Sequence, residues 1–136
     1  MPGNVREVTV RWREGLRFEG GPAERPAILV DGDGQAAVSP VELLLISAAT
    51  CSAADVVGIL QKQRVDLRTL EVVVSGIRRD EHPRRYTAIH LRFTVGGAGA
   101  DEAKARRAVD LSLEKYCSVV ASLAPDIRVS YDIALA

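Results

Sequence analysis

The chain lacks most of the features that assign a protein quickly. It carries no excess of either charge, with 18 lysine and arginine residues against 18 aspartate and glutamate residues. That balance argues against an electrostatic footprint for nucleic acid or an anionic membrane, so neither is expected as a partner. The opening residues hold no apolar leader, and a cytoplasmic protein is expected. No linker, repeat or low-complexity run divides the sequence, so residues 1–136 are expected to form one domain. There are two cysteines, and in a reducing compartment these are expected to be free or redox-active rather than a permanent staple. His82 and His90 have no mutual metal spacing and no cysteine nearby. Asp31-Gly32-Asp33-Gly34 lacks the further ligands of a calcium loop and reads as a turn, so no metal is expected.

What is present is apolar and patterned. Hydrophobic residues make up 47% of the chain, enough for a folded globule. Val8, Val10 and Trp12 alternate with Thr9, Arg11 and Arg13, which predicts a half-buried strand. Glu14-Gly15 turns it, Leu16 and Phe18 resume the alternation, and Ala27 to Val30 predicts a short third strand. Ser39, Pro40 and Glu42 then supply three helix-start signals: an N-cap, a first-turn proline and a capping box. The helix is expected to run to about Arg64. Leu43, Leu44, Leu45 and Ile46 cover every direction around its axis, which predicts burial on all sides. The stretch from Val41 to Leu60 is interrupted by Glu42, Ser47, Thr50, Ser52 and Asp55, so it reads as a core helix rather than a bilayer span. Leu70–Val74 and Ile89–Val95 predict two strands joined by a polar tip from Arg78 to Arg85. A second helix is expected from Asp101 until Pro125 stops it, with Ala105, Ala108, Val109, Ser112, Leu113, Tyr116, Cys117 and Val120 at helical spacing. A last strand covers Ile127, Val129 and Tyr131. The order βββ-α-ββ-α-β predicts an α+β fold, with a long buried central helix packed on antiparallel β-sheet.

Cys51 falls in the middle of the first helix and Cys117 near the end of the second. Residue physics leaves two readings open. Free cysteine is among the most buried residue types, so the pair can be inert packing. A reactive pair needs help, because Cys51 is too far along its helix to gain from the dipole and its neighbours Ala49, Thr50, Ser52 and Ala53 carry no positive charge. An arginine from another element or subunit would have to supply it. Asp55, one turn after Cys51, is a candidate buried partner for such an arginine.

Two motifs carry a resemblance. Ser39-Pro40 with Glu42-Leu43, leading to Ala48-Ala49-Thr50-Cys51-Ser52, resembles the helix start and cysteine motif of the OsmC/Ohr family. Glu114-Lys115-Tyr116-Cys117-Ser118-Val119 resembles that family's second cysteine motif. The likeness extends from about Val5 to the end and is nearest the YhfA-like branch. It implies an OsmC-like α+β fold, an intertwined homodimer with both sites at the subunit interface, and no cofactor. It also implies thiol-dependent reduction of organic hydroperoxides: Cys51 attacks the peroxide, Cys117 closes a disulfide, and a dithiol, lipoyl-linked in well-studied members of the family, restores both.

The sequence departs from the pattern at one position. The hydroperoxide reductases of the family carry a glutamate directly after the helix-opening proline, where it holds the active-site arginine. Here that residue is Val41, and Glu42 follows one position later, rotated by about 100° around the helix. Glu42 reads as the capping partner of Ser39. The family takes its arginine from the N-terminal strands, where Arg13 and Arg17 are candidates that also read as hairpin surface charges. Glu114 and Tyr116 are candidates for the interface pocket. The departure at Val41 favours an alternative function, a protein of the same fold that binds a small apolar or electrophilic ligand without efficient turnover.

Overall fold

The computed structural model describes residues 3–136. Its contacts define two compact units, the first ending at Leu44 and the second running Leu45–Ala136.

The first unit is a three-stranded antiparallel sheet, β1 (Thr9–Glu14), β2 (Arg17–Gly21) and β3 (Ile28–Asp31), in that order. Gly15 makes the β1–β2 turn at φ 54°, and Trp12 Nε1 donates to the Gly15 carbonyl at 2.8 Å. The alternation of β1 predicts one buried face, but every residue of the strand is exposed in the single chain. Val10 and Trp12 remain about two-thirds exposed, so an apolar face is formed without a cover. The Asp31–Gly34 segment is a turn, closed by Gly34 N–H on the Asp31 carbonyl at 3.0 Å. The buried Asp31 carboxylate accepts from Ala36 N–H at 2.8 Å and Asp33 N–H at 3.2 Å.

Helix α1 (Pro40–Lys62) begins with the expected capping box. Ser39 N–H donates to Glu42 Oε1 at 2.9 Å, and Glu42 N–H donates to Ser39 Oγ at 3.3 Å. Its buried stripe recurs every fourth residue, at Ala48, Ser52, Val56 and Leu60. Burial on all sides does not hold in the single chain, because Leu44 and Ile46 are exposed. The helix ends in a Schellman arrangement. Arg64 takes φ 63°, Val65 N–H reaches back to the Leu60 carbonyl at 3.0 Å, and Arg64 N–H to the Gln61 carbonyl at 3.0 Å. Leu60 and Val65 are both buried, the apolar contact this motif favours.

The second sheet has the order β4 (Asp66–Arg78), β5 (Tyr86–Ala98), β6 (Arg128–Leu135). β4 and β5 form a hairpin much longer than the apolar runs predict. β6 corrects the antiparallel expectation, because it lies parallel to β5, with Ile89 opposite Val129 and Phe93 opposite Ile133. A parallel neighbour requires the chain to return to the same end of the sheet, and the helical segment between β5 and β6 makes that crossover. Ile89, Leu91, Phe93 and Val95 line the buried face of β5.

The second helix is not continuous. Helix α2 (Glu102–Leu111) starts at Asp101, whose carboxylate accepts from Lys104 N–H at 2.8 Å. A π-helical turn follows over Ser112–Tyr116. Cys117 then takes extended dihedrals, φ −74° and ψ 99°, before a four-residue helix α3 (Ser118–Ala121). The break precedes Pro125 by several residues. Its cause is the wide turn, in which Cys117 N–H bonds the Ser112 carbonyl at 2.7 Å instead of the residue four back.

Candidate functional site

The site builds on two positions that these local rules set. Cys51 and Asp55 are four residues apart on α1 and so share one face. Cys117 sits where the π-helical turn releases the backbone, and it is buried at 3% exposure, whereas Cys51 is half-buried. Both are free thiols. They are neighbours: burial pushes the Cys117 thiol above the ordinary thiol range, Cys51 beside it pushes further, and the Asp55 carboxylate adds to this. The Val120 N–H faces the Cys117 sulfur without closing a full hydrogen bond, and it pulls the other way.

Beside the thiols lies a polar network that sequence reasoning missed. Ser112 Oγ is 2.8 Å from Asp55 Oδ2 and 2.9 Å from Ser52 Oγ. A hydroxyl has one proton, so Ser112 can donate to the carboxylate while accepting from Ser52. Ser52 and Ser112 are fully buried, and Asp55 is half-buried. Within the chain Asp55 therefore has a serine partner. The signal was present in the sequence, since Ser112 falls in the apolar stripe of the second helix expected from Asp101 onward and Ser52 in that of α1. On its other side Asp55 opens onto a concavity of about 260 Å³, lined also by Gly58, Ile59, Lys62 and Tyr116.

The remaining candidates take separate places. In the first unit Arg13 pairs with Glu19 at 2.7 Å, and Arg17 pairs with Glu14 at 3.4 Å and approaches Asp31 at 4.0 Å. Glu42 is spent on its cap, and the Ser39 backbone N–H and hydroxyl hold its carboxyl below the usual range. The first unit also carries an apolar concavity of about 500 Å³, lined by Val8, Val10, Phe18, Ile28, Val30 and Leu43 among others. Glu114 lies on the π-helical turn and lines a shallow concavity of about 590 Å³ with Arg106, Arg107 and Asp110. His82 is on the hairpin tip. His90 lies on β5 with its ring nitrogens 2.8 Å from Ser130 Oγ and 3.2 Å from Asp132 Oδ1.

The order of elements, the two motif cysteines and their approach invite comparison with known proteins. The sequence profile of the OsmC-like protein family matches residues 32–132. This chain belongs to the OsmC-like family. Protein YhfA of Escherichia coli strain K12 is 47% identical over 133 residues, spanning 96% of this chain and 99% of YhfA. The crystal structure of a hypothetical protein from Aquifex aeolicus VF5 superposes with a TM-score of 0.83 at 30% identity, covering 98% of each chain. The organic hydroperoxide resistance protein OhrB of Bacillus subtilis shares the fold at a TM-score of 0.61 and 19% identity, over 93% of this chain and 96% of OhrB. Thus the α+β architecture of the OsmC-like chain, with its central helix and two sheets, is the family's own.

Proposed function

We propose that this OsmC-like protein reduces organic hydroperoxides, with Cys51 as the attacking and Cys117 as the resolving thiol. The carrying observation is that two cysteines far apart in sequence are neighbours in the fold, with Cys51 half-buried and Cys117 buried. The fold shared with the organic hydroperoxide resistance protein OhrB of Bacillus subtilis supports the same reading. The chemistry closes in three steps. The Cys51 sulfur forms an S–O bond as the peroxide O–O bond breaks, and the alkoxide leaves as an alcohol. Cys117 attacks the resulting sulfenic acid, and water leaves as the disulfide forms. A dithiol then returns two electrons and two protons by exchange. None of these steps calls for a metal or an organic cofactor.

The reading includes a cytoplasmic homodimer. The apolar side chains left uncovered in the single chain, Val10 and Trp12 on β1 and Leu44 and Ile46 on α1, support a second copy as their cover. Sedimentation of the purified protein is expected to return twice the chain mass of 14.7 kDa.

The deciding experiment treats the reduced protein with one equivalent of tert-butyl hydroperoxide, then counts thiols and takes an intact mass. Loss of both thiols with a mass decrease of two hydrogens is expected. Surviving thiols would instead favour the second reading, a binding protein for a small apolar or electrophilic ligand. Two observations support that alternative: Glu42 is committed to the helix cap, and Arg13 and Arg17 are each paired with carboxylates of the first unit.

A further inference from the structure

We propose that Gly58 opens a groove that receives the organic group of the hydroperoxide, and so selects compact, neutral, apolar peroxides for Cys51. This rests on the peroxide-reducing reading. Helix spacing gives the placement. Ala54 and Asp55 stand one turn beyond Cys51 on α1, Gly58 two turns and Lys62 three, all on one face. These residues line the concavity of about 260 Å³ together with Ile59 and with Tyr116 of the π-helical turn. Tyr116 directly precedes Cys117. The groove therefore starts one turn from one thiol and takes its aromatic lining from the residue next to the other.

The glycine itself is the second ground. Glycine inside a helix destabilises it relative to alanine. Gly58 lies in the interior of α1, and a Cβ built on it would meet nothing within 4 Å. Among the described residues, no neighbour requires the missing side chain. What its absence provides is space, a stretch of bare backbone that a ligand can approach closely.

The lining sets the character of the occupant. Ala54, Ile59 and the Tyr116 ring offer aliphatic and aromatic surface. Tyr116 is half exposed, and Lys115 Nζ lies over its ring at 5.3 Å, a cation–π contact that restrains it. The volume falls below the roughly 300 Å³ at which small-molecule sites usually begin, so the organic group is compact. Opposite charges stand along the groove, Asp55 nearer Cys51 and Lys62 farther away. The groove as a whole favours neither an anion nor a cation, and a neutral group suits it. Cumene hydroperoxide, with a phenyl ring on a branched carbon, has this character.

The test is a ratio: kcat/KM for cumene hydroperoxide over kcat/KM for hydrogen peroxide, which has no organic group to seat. Gly58→Leu fills the groove, and leucine is a better helix former than glycine. The ratio is expected to fall by about tenfold or more, the scale on which apolar pockets discriminate by size. Gly58→Ala should lower it by a smaller factor. A melting temperature at or above the parent's separates this loss from unfolding. An unchanged ratio in folded Gly58→Leu would overturn the proposal. So would a change in its sedimentation, because the groove would then seat a second copy rather than a substrate. Should Gly58→Leu fail to fold, Gly58→Ala decides, since its methyl enters open space; an unchanged ratio there would overturn the proposal. Binding of cumyl alcohol, the product of the reduction, is followed by ligand-observed nuclear magnetic resonance and tells the two readings apart. A parent that consumes neither peroxide but binds the alcohol, with binding lost in Gly58→Leu, would sink the peroxidase reading and leave the groove standing. A parent that neither consumes peroxide nor binds the alcohol would sink both.

Discussion

Ser112 on the π-helical turn and Asp55 on α1 are joined by a hydrogen bond of 2.8 Å across 57 residues of sequence. The bond ties the segment that presents Cys117 to the helix that presents Cys51. Truncating Ser112 removes one partner and leaves a carboxylate oxygen and the Ser52 hydroxyl short of a bond in a buried setting. Ser112→Ala is therefore expected to cost about 1–3 kcal/mol of unfolding free energy. Denaturant titration of the two proteins measures it directly, and a loss well below that range would mean that water or a rearranged side chain replaces the hydroxyl.

The two cysteine variants separate the roles assigned to the thiols. Cys51→Ser is expected to abolish peroxide consumption. Cys117→Ser should complete one oxidation and stall, leaving a Cys51 sulfenic acid that a dimedone adduct reports. Full turnover in both variants would sink the two-cysteine mechanism.

Much of the fold is legible in the sequence, for identifiable reasons. Ser39, Pro40 and Glu42 announce the start of α1 because capping is local chemistry, and the expected capping box forms. The end of α1 is less visible, because Arg64 occupies a left-handed position that glycine usually marks. The break at Cys117 has no local signal either. Helical spacing continues through Tyr116 and Val120, and the π-helical turn answers to Ser112 meeting Asp55 and Ser52, which only the tertiary fold brings together. The motif resemblance singles out both cysteines, but their surroundings are not readable from it. Asp55 reads in the sequence as a candidate partner for an arginine, and its partner within the chain is a serine from another element.

Two glycines should respond to alanine in opposite ways. Gly97 stands at φ 147°, and a Cβ there would lie 2.1 Å from the Asp66 carbonyl oxygen. The clash is with backbone at the paired end of β4 and cannot be relieved by a side-chain rotation. Gly97→Ala is expected to destabilise by about 3 kcal/mol or more. Gly58 lies on α1 with open space where its Cβ would be. Gly58→Ala should stabilise by roughly 0.5–1 kcal/mol through helix propensity alone. Thermal melts that moved in the same direction for both would contradict this placement of the two backbones.

Asp31 gives the fold an acid-sensitive contact whose sign can be worked out. The Ala36 N–H, the Asp33 N–H and side chain, and Arg17 together hold the Asp31 carboxyl below its usual range, against the opposing effect of burial. The folded state therefore binds this proton less tightly than the unfolded chain does. The stabilisation is fully present at pH values above the unfolded carboxylate value, about 3.9, and is lost as pH falls through the lower folded value. Asp31→Asn keeps an acceptor oxygen for one of the turn amides but removes the charge. The variant should melt below the parent at neutral pH, and the gap should close as both are acidified through the carboxylate range. Melting curves taken from neutral to acid pH measure that gap. A gap that stays constant would mean that the Ala36 and Asp33 contacts act through shape rather than charge.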